Sequence, residues 1–201
     1  WQTVTLIAQR APAFRMGNIH ADWRTGEVRA SAALDYFGEQ PAKPDRLQVD
    51  VLDGSGVPVA SLEAASDEFT LIVPHPALWS PETPTLYDLR LRLIRDGAVL
   101  AETRRRFGFR SLRAQGEALL LNDQPYGVRG ILSWGWNPHT LAPVATDDEI
   151  RDEFRRVRAL GFNLVKLCLF VPPERLFEIA DEEGMLLWLE LPMWWQRIND
   201  Y

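Results

Sequence analysis

A chain of 201 residues with 46% hydrophobic and 25% charged residues can build a sizeable core in one or two domains. The formal net charge of -6 argues against a nucleic-acid partner, which needs a clustered cationic surface, and no apolar run reaches the length that spans a bilayer. Cys168 is the sole cysteine, so no internal disulfide can form; His20, His75 and His139 lack metal-ligand spacing and no glycine-rich phosphate loop occurs, so no metal or cofactor is expected.

Residues 1–110 read as all-β. Val28, Ala30, Ala32 and Leu34 alternate, as do Leu47, Val49 and Val51, then Phe69, Leu71 and Val73, then Leu89, Leu91 and Leu93. Turn formers separate them at Arg24-Thr25-Gly26, Asp53-Gly54-Ser55-Gly56 and Arg95-Asp96-Gly97. Such spacing predicts an antiparallel, immunoglobulin-like β-sandwich without its disulfide. Trp1 falls inside a strand-like run, so the chain is expected to be cut from something longer. The run Arg104-Arg105-Arg106 and the helical face Arg151, Arg155, Arg156, Arg158 are interleaved with acids and read as solvated surface.

Residues 111–201 change character, reading strand, helix, strand, helix, strand from Pro125 to Pro192. The strands are predicted at Tyr126 to Trp134, Asn163 to Val171 and Met185 to Leu191. Thr146 and Glu149 form a capping box that starts the first helix at Asp147. Its apolar stripe is Ile150, Phe154, Val157 and Leu160, and Gly161 ends it. The second helix opens at Pro172-Pro173, buries Leu176, Phe177, Ile179 and Ala180, and stops at Gly184. This order predicts the N-terminal part of a (β/α)8 barrel, so the whole reads as multi-domain β plus α/β.

The strands of that half are nearly free of polar residues, as when a parallel sheet is covered on both faces. Lys166 and Glu190 are exceptions, and a charge there needs a partner or water. Both are expected to point into the barrel mouth, where such folds place their sites. The plainer alternative is a buried ion pair that only sets strand register. Trp134, Trp136, Trp194 and Trp195 fall at or just past strand ends; aromatic faces with a polar edge suit sugar rings. Trp134, Trp136, Lys166, Glu190, Trp194 and Trp195 are therefore the candidate carbohydrate-binding residues.

Several ordered segments carry a resemblance: Leu78-Trp79-Ser80-Pro81-Glu82-Thr83-Pro84-Thr85-Leu86-Tyr87, Arg106-Phe107-Gly108-Phe109-Arg110, Leu121-Asn122-Asp123-Gln124-Pro125 and Arg129-Gly130. Leu160-Gly161-Phe162-Asn163-Leu164-Val165-Lys166 and Asp181-Glu182-Glu183-Gly184-Met185-Leu186-Leu187-Trp188 continue it. Together they resemble glycoside hydrolase family 2, the β-galactosidases, β-glucuronidases and β-mannosidases. The resemblance implies a jelly roll, whose exit would be Trp1 to Leu6, then an immunoglobulin-like sandwich and a catalytic barrel truncated here after its third strand. It further implies a retaining β-glycosidase whose two carboxyls, about 5 to 5.5 Å apart, lie downstream on later strands, so that no catalytic residue falls in this chain. Lys166 stands where the family usually has an arginine, and Trp134 and Leu169 stand at two usual histidines, departures that bear on β-galactosidase specificity.

On this reading the chain alone is inactive as a glycosidase and either forms a homo-oligomer or frays after Gly161, because its third strand has an open edge. Two other readings stay open: a relative that binds carbohydrate without hydrolysing it, and a structural or interaction module.

Overall fold

The structure, a computed structural model, describes Leu6, residues 12–36, 46–139, Leu141 and residues 145–192. The described residues are mostly β, with two helices. Strands β1 (Ala13–Ala21), β2 (Glu27–Asp35) and β5 (Glu68–Ile72) form one antiparallel sheet in the order β1-β2-β5. Strands β3 (Arg46–Leu52), β4 (Pro58–Ala64), β6 (Tyr87–Arg95) and β7 (Ala98–Phe107) form a second, in the order β4-β3-β6-β7. The alternating residues of β2, β3, β5 and β6 bury themselves between the two sheets: Val28, Ala32, Val49, Val51, Leu71, Leu89 and Leu91 share one core. Leu34, expected inside with them, is only half-buried near the end of β2.

One charge sits inside this half. Asp50 is buried on β3 and accepts hydrogen bonds from Arg90 (2.8 Å), Arg92 (3.1 Å) and Ser61 Oγ (2.7 Å). Burial alone would raise its carboxyl; the bonds from Ser61 and Arg90 outweigh that and hold it below the ordinary aspartate range.

A small antiparallel meander follows, of β8 (Leu112–Gln115), β9 (Ala118–Leu121) and β10 (Gln124–Pro125). Asn122 and Asp123 join the last two with φ of 51° and 63°, the left-handed pair that a two-residue hairpin requires.

The last described part is a parallel sheet of β11 (Gly130–Ser133), β12 (Leu164–Leu167) and β13 (Leu186–Leu189), with helices α1 (Asp147–Ala159) and α2 (Glu174–Glu183) as the crossovers. Thr146 and Glu149 form both bonds of the capping box, and Gly184 ends α2 at φ 67°. Four expectations need correction. The strand predicted at Asn163 to Val171 ends at Leu167, because Leu169 turns left-handed at φ 57°. Tyr126 to Arg129 is not strand: Asn163, buried, accepts from Arg129 N–H (2.7 Å) and donates to Gly127 O (2.8 Å), clamping an irregular stretch. Leu160 is 73% exposed, because it caps α1 after the apolar stripe has turned away. Leu176 and Phe177 are only half-buried on α2, whereas Ile179 and Ala180 are fully buried.

Several of the arginines read as solvated surface, together with Arg110, tie the parts together. Arg105 pairs with Glu174 (2.9 Å), Arg106 with Glu182 (2.7 Å) and Arg110 with Asp181 (2.7 Å), all from the end of β7 or just beyond it to α2. Arg151 and Arg155 of α1 close on Glu182 and Glu183. Beneath these ions, Trp79, Leu121, Leu164 and Leu186 form an apolar cluster shared by the segment after β5, the meander and the parallel sheet.

Candidate functional site

The parallel sheet has two unlike faces, and residue parity along each strand decides which side chain goes where. Val165 and Leu167 of β12 face α1 and α2, packing with Ile150, Phe154, Ile179 and Ala180. Lys166 alternates to the opposite face, between Leu132 of β11 and Trp188 of β13 in register. The N-terminal end of that face is sealed where Leu164 and Leu186 meet Trp79 and Leu121. Among the described residues its C-terminal end is left open, with Lys166, Glu190 and Trp188 partly exposed.

At the open end the two expected charges meet. Lys166 Nζ lies 3.0 Å from Glu190 Oε2, with the side chains 32% and 38% exposed, so the pair is neither buried nor free in water. Glu190 sits one residue past β13, held there by its N–H bond to Leu167 O (3.0 Å). Lys166 and then Cys168 draw its carboxyl below the ordinary glutamate range, since both stabilise the ionised form. Burial first, and the neighbouring Glu190 carboxylate after it, push the Cys168 thiol upward.

Trp188, which its shared parity with Glu190 could have flagged, lies on this face too. It is 61% exposed, and the Lys166 ammonium stands 5.6 Å from its ring centroid, within cation–π reach. Trp134 and Trp136 follow β11 and are both exposed. Between them Gly135 takes φ 71° and donates its N–H to Ser133 Oγ (3.2 Å). A Cβ at Gly135 would come within 2.4 Å of the Phe170 ring, so the ends of β11 and β12 interlock there. Trp194 and Trp195 lie outside the described residues.

This face offers an ammonium, a carboxylate and broad indole surfaces. Glu190 is the one carboxylate on it among the described residues, and chemistry that needs two carboxyls cannot be completed by it alone. Among the described residues no group of three His, Cys, Asp or Glu side chains is placed to hold a metal ion.

The chain is similar to known proteins. Residues 24–110 match the family described as Glycosyl hydrolases family 2. A putative beta-glucuronidase of Formosa agariphila is 28% identical over 83% of this chain and 20% of its own length. A beta-galactosidase of Leuconostoc mesenteroides is 32% identical over 58% of this chain and 11% of its own length. The chain thus spans a fifth or less of these two relatives. The crystallised b-glucuronidase of Ruminococcus gnavus in complex with D-glucuronic acid superposes with a TM-score of 0.71 at 24% identity, over 90% of this chain and 31% of that one, a likeness of fold. Residues 24–110 thus match glycosyl hydrolases family 2, and glycosidase relatives extend the similarity well beyond that segment.

Proposed function

We propose that the chain is the middle part of a retaining β-glycosidase that hydrolyses O-glycosidic bonds, with residues 1–110 an immunoglobulin-like sandwich and residues 111–201 the opening of a (β/α)8 barrel. The general acid/base and the nucleophile would come from residues outside this chain. What this chain supplies is part of the wall against which the sugar lies. The observation that carries the reading is the Lys166–Glu190 pair, set on the sheet face away from the helices and at its open end, with Trp134, Trp136 and Trp188 exposed around it. An indole covers the C–H face of a pyranose while charged groups bond its hydroxyls.

Tryptophan fluorescence of the chain titrated with galactose and with glucuronic acid tests this. Quenching that is lost in Trp134→Phe or Trp188→Phe supports the sugar-facing wall; no change with either sugar favours a structural module. Aryl β-glycosides are expected to survive incubation with the chain, and turnover by it would overturn the assignment of both carboxyls to residues outside it. Lys166 in place of an arginine also favours a second reading, a relative that binds sugar without hydrolysis, because an ammonium lacks the planar fork that grips a carboxylate with two bonds. Quenching by the chain, with no hydrolysis by a protein carrying the completed barrel, would select it.

A further inference from the structure

We propose that Glu190 makes this face selective for uncharged sugars: by holding the Lys166 ammonium it leaves the described strands with no free cation, so a neutral pyranose is accepted and the matching uronic acid is turned away. The inference names the substrate class of the sugar-facing wall and rests on that reading.

The charge on the face decides between the two classes. A uronic acid differs from its parent hexose by a carboxylate in place of the terminal hydroxymethyl group, ionised at neutral pH. A site that takes such a group out of water must offer a cation or several N–H donors, because an unpaired carboxylate is costly to desolvate. Among the residues of β11, β12 and β13, Lys166 is the one cation. In register with it stand Leu132 and Trp188, both uncharged. The charges of α1 and α2 lie behind the sheet, beyond the layer where Val165 and Leu167 meet Ile150, Phe154, Ile179 and Ala180.

Lys166 is already engaged. Its ammonium lies 3.0 Å from Glu190 Oε2, an atom closed off from solvent, and 5.6 Å from the centroid of the Trp188 ring. Both neighbours present negative potential to it, one as a formal charge and the other as a π face. The pair sums to zero charge, so a second carboxylate gains from the ammonium only by displacing Glu190, and otherwise meets a like charge. Glu190 is not easily displaced, since its N–H bonds Leu167 O at 3.0 Å and ties its main chain to β12. The exposed indoles of Trp134, Trp136 and Trp188 add the same preference, because a ring face suits C–H groups and repels a carboxylate. A neutral sugar meets neither penalty. Its hydroxyls can donate to Glu190 and accept from Lys166 with the pair intact, since a carboxylate accepts, and an ammonium donates, more than one hydrogen bond.

The test compares matched sugars, glucose with glucuronate and galactose with galacturonate, as quenchers of the chain's tryptophan fluorescence at neutral pH and low salt. In the parent the uronate of each pair should need about tenfold more for half-quenching, a modest factor because partly exposed charges are screened. Glu190→Gln keeps the shape and frees the ammonium, so the uronate should draw level with the neutral sugar or overtake it. Lys166→Met leaves Glu190 unopposed and should widen the gap. A pair that only sets strand register would move both members of each sugar pair alike. A uronate that quenches the parent as readily as its hexose, or a gap unchanged in Glu190→Gln, overturns the proposal; the parent's comparison decides it even where a variant fails to fold. Quenching by uronates alone would defeat this inference and leave the sugar-facing wall standing, whereas no quenching by any of these sugars would defeat the wall itself and the selectivity with it.

Discussion

Trp79 Nε1 donates a 2.8 Å hydrogen bond to Asp181 O, fastening the segment after β5 to the last turns of α2. The indole is buried, and Arg110 lies over its ring at 4.3 Å while pairing with the Asp181 carboxylate at 2.7 Å. One side chain thus joins the two-sheet half to the helical half by packing, a hydrogen bond and a cation. Trp79→Ala should cost about 3–5 kcal/mol, the range for deleting a buried aromatic. Trp79→Phe keeps most of the packing but leaves a buried carbonyl without its donor, at about 1–3 kcal/mol. Urea unfolding of both variants checks the order.

Gly184 gives a second junction. It ends α2 at φ 67°, and a Cβ there would lie 2.3 Å from Pro81 O. Gly184→Ala meets both a left-handed backbone, worth about 1–2 kcal/mol, and a clash with main chain that no rotamer relieves. The expected result is a lower urea midpoint than any single alanine on the exposed face of α1 produces. A midpoint equal to the parent's would mean that the crossing segment moves aside.

The pH dependence of stability should carry the mark of Asp50. Its carboxyl is held below the usual value of 3.8, so its contribution is present in full above that value and is lost as the pH falls through the depressed folded one. Between pH 5 and pH 2 the parent should therefore lose more stability than Asp50→Asn, which has no proton to take up there. At neutral pH Asp50→Asn is the weaker protein, since Arg90 and Arg92 lose their counter-charge, so the two should converge as the pH falls. Denaturant midpoints across that range measure both.

Thr146→Ala removes the hydroxyl that accepts from Glu149 N–H and the anchor of a reciprocal pair. A loss of about 1 kcal/mol is expected, with Thr146→Ser near the parent. The readout is thermal unfolding followed at a helix-sensitive wavelength.

Lys166→Met separates binding from folding. The pair with Glu190 is about one third exposed, and ion pairs of that kind contribute little to stability. The melting temperature should stay close to the parent's while quenching by sugar weakens. A large fall in melting temperature with quenching intact would make the pair a device for strand register.

Burial pattern decided which elements could be read from the sequence. Strands β2, β3, β5 and β6 alternate because one face of each lies in the shared core, and their apolar residues give the period away. Of the edge strands, β5 shares that signature but β7 does not: Arg104, Arg105 and Arg106 run through β7 because its outer residues meet water and α2. At the candidate site, Lys166 and Glu190 were legible as charges in an apolar run, and their meeting follows from strand parity. Trp188 was hidden because it looked like one more core residue, and nothing in a lone strand says which face a second sheet leaves uncovered. The ion pairs between β7 and α2 were illegible for a different reason, since they join residues some seventy positions apart.

Leu169 follows Cys168 with φ 57°, a left-handed backbone that a leucine adopts at a cost of about 1–2 kcal/mol. That turn swings the chain out of the sheet and lays Phe170 against Gly135, whose missing Cβ leaves room for the ring. Two main-chain bends on successive strands thus brace each other through one phenyl group. The rim around the open end owes its shape to these bends, whereas Trp134 and Trp136 merely project from it. In evolutionary terms the projecting residues can be exchanged without disturbing the rim, while Gly135 and Phe170 must change together or stay.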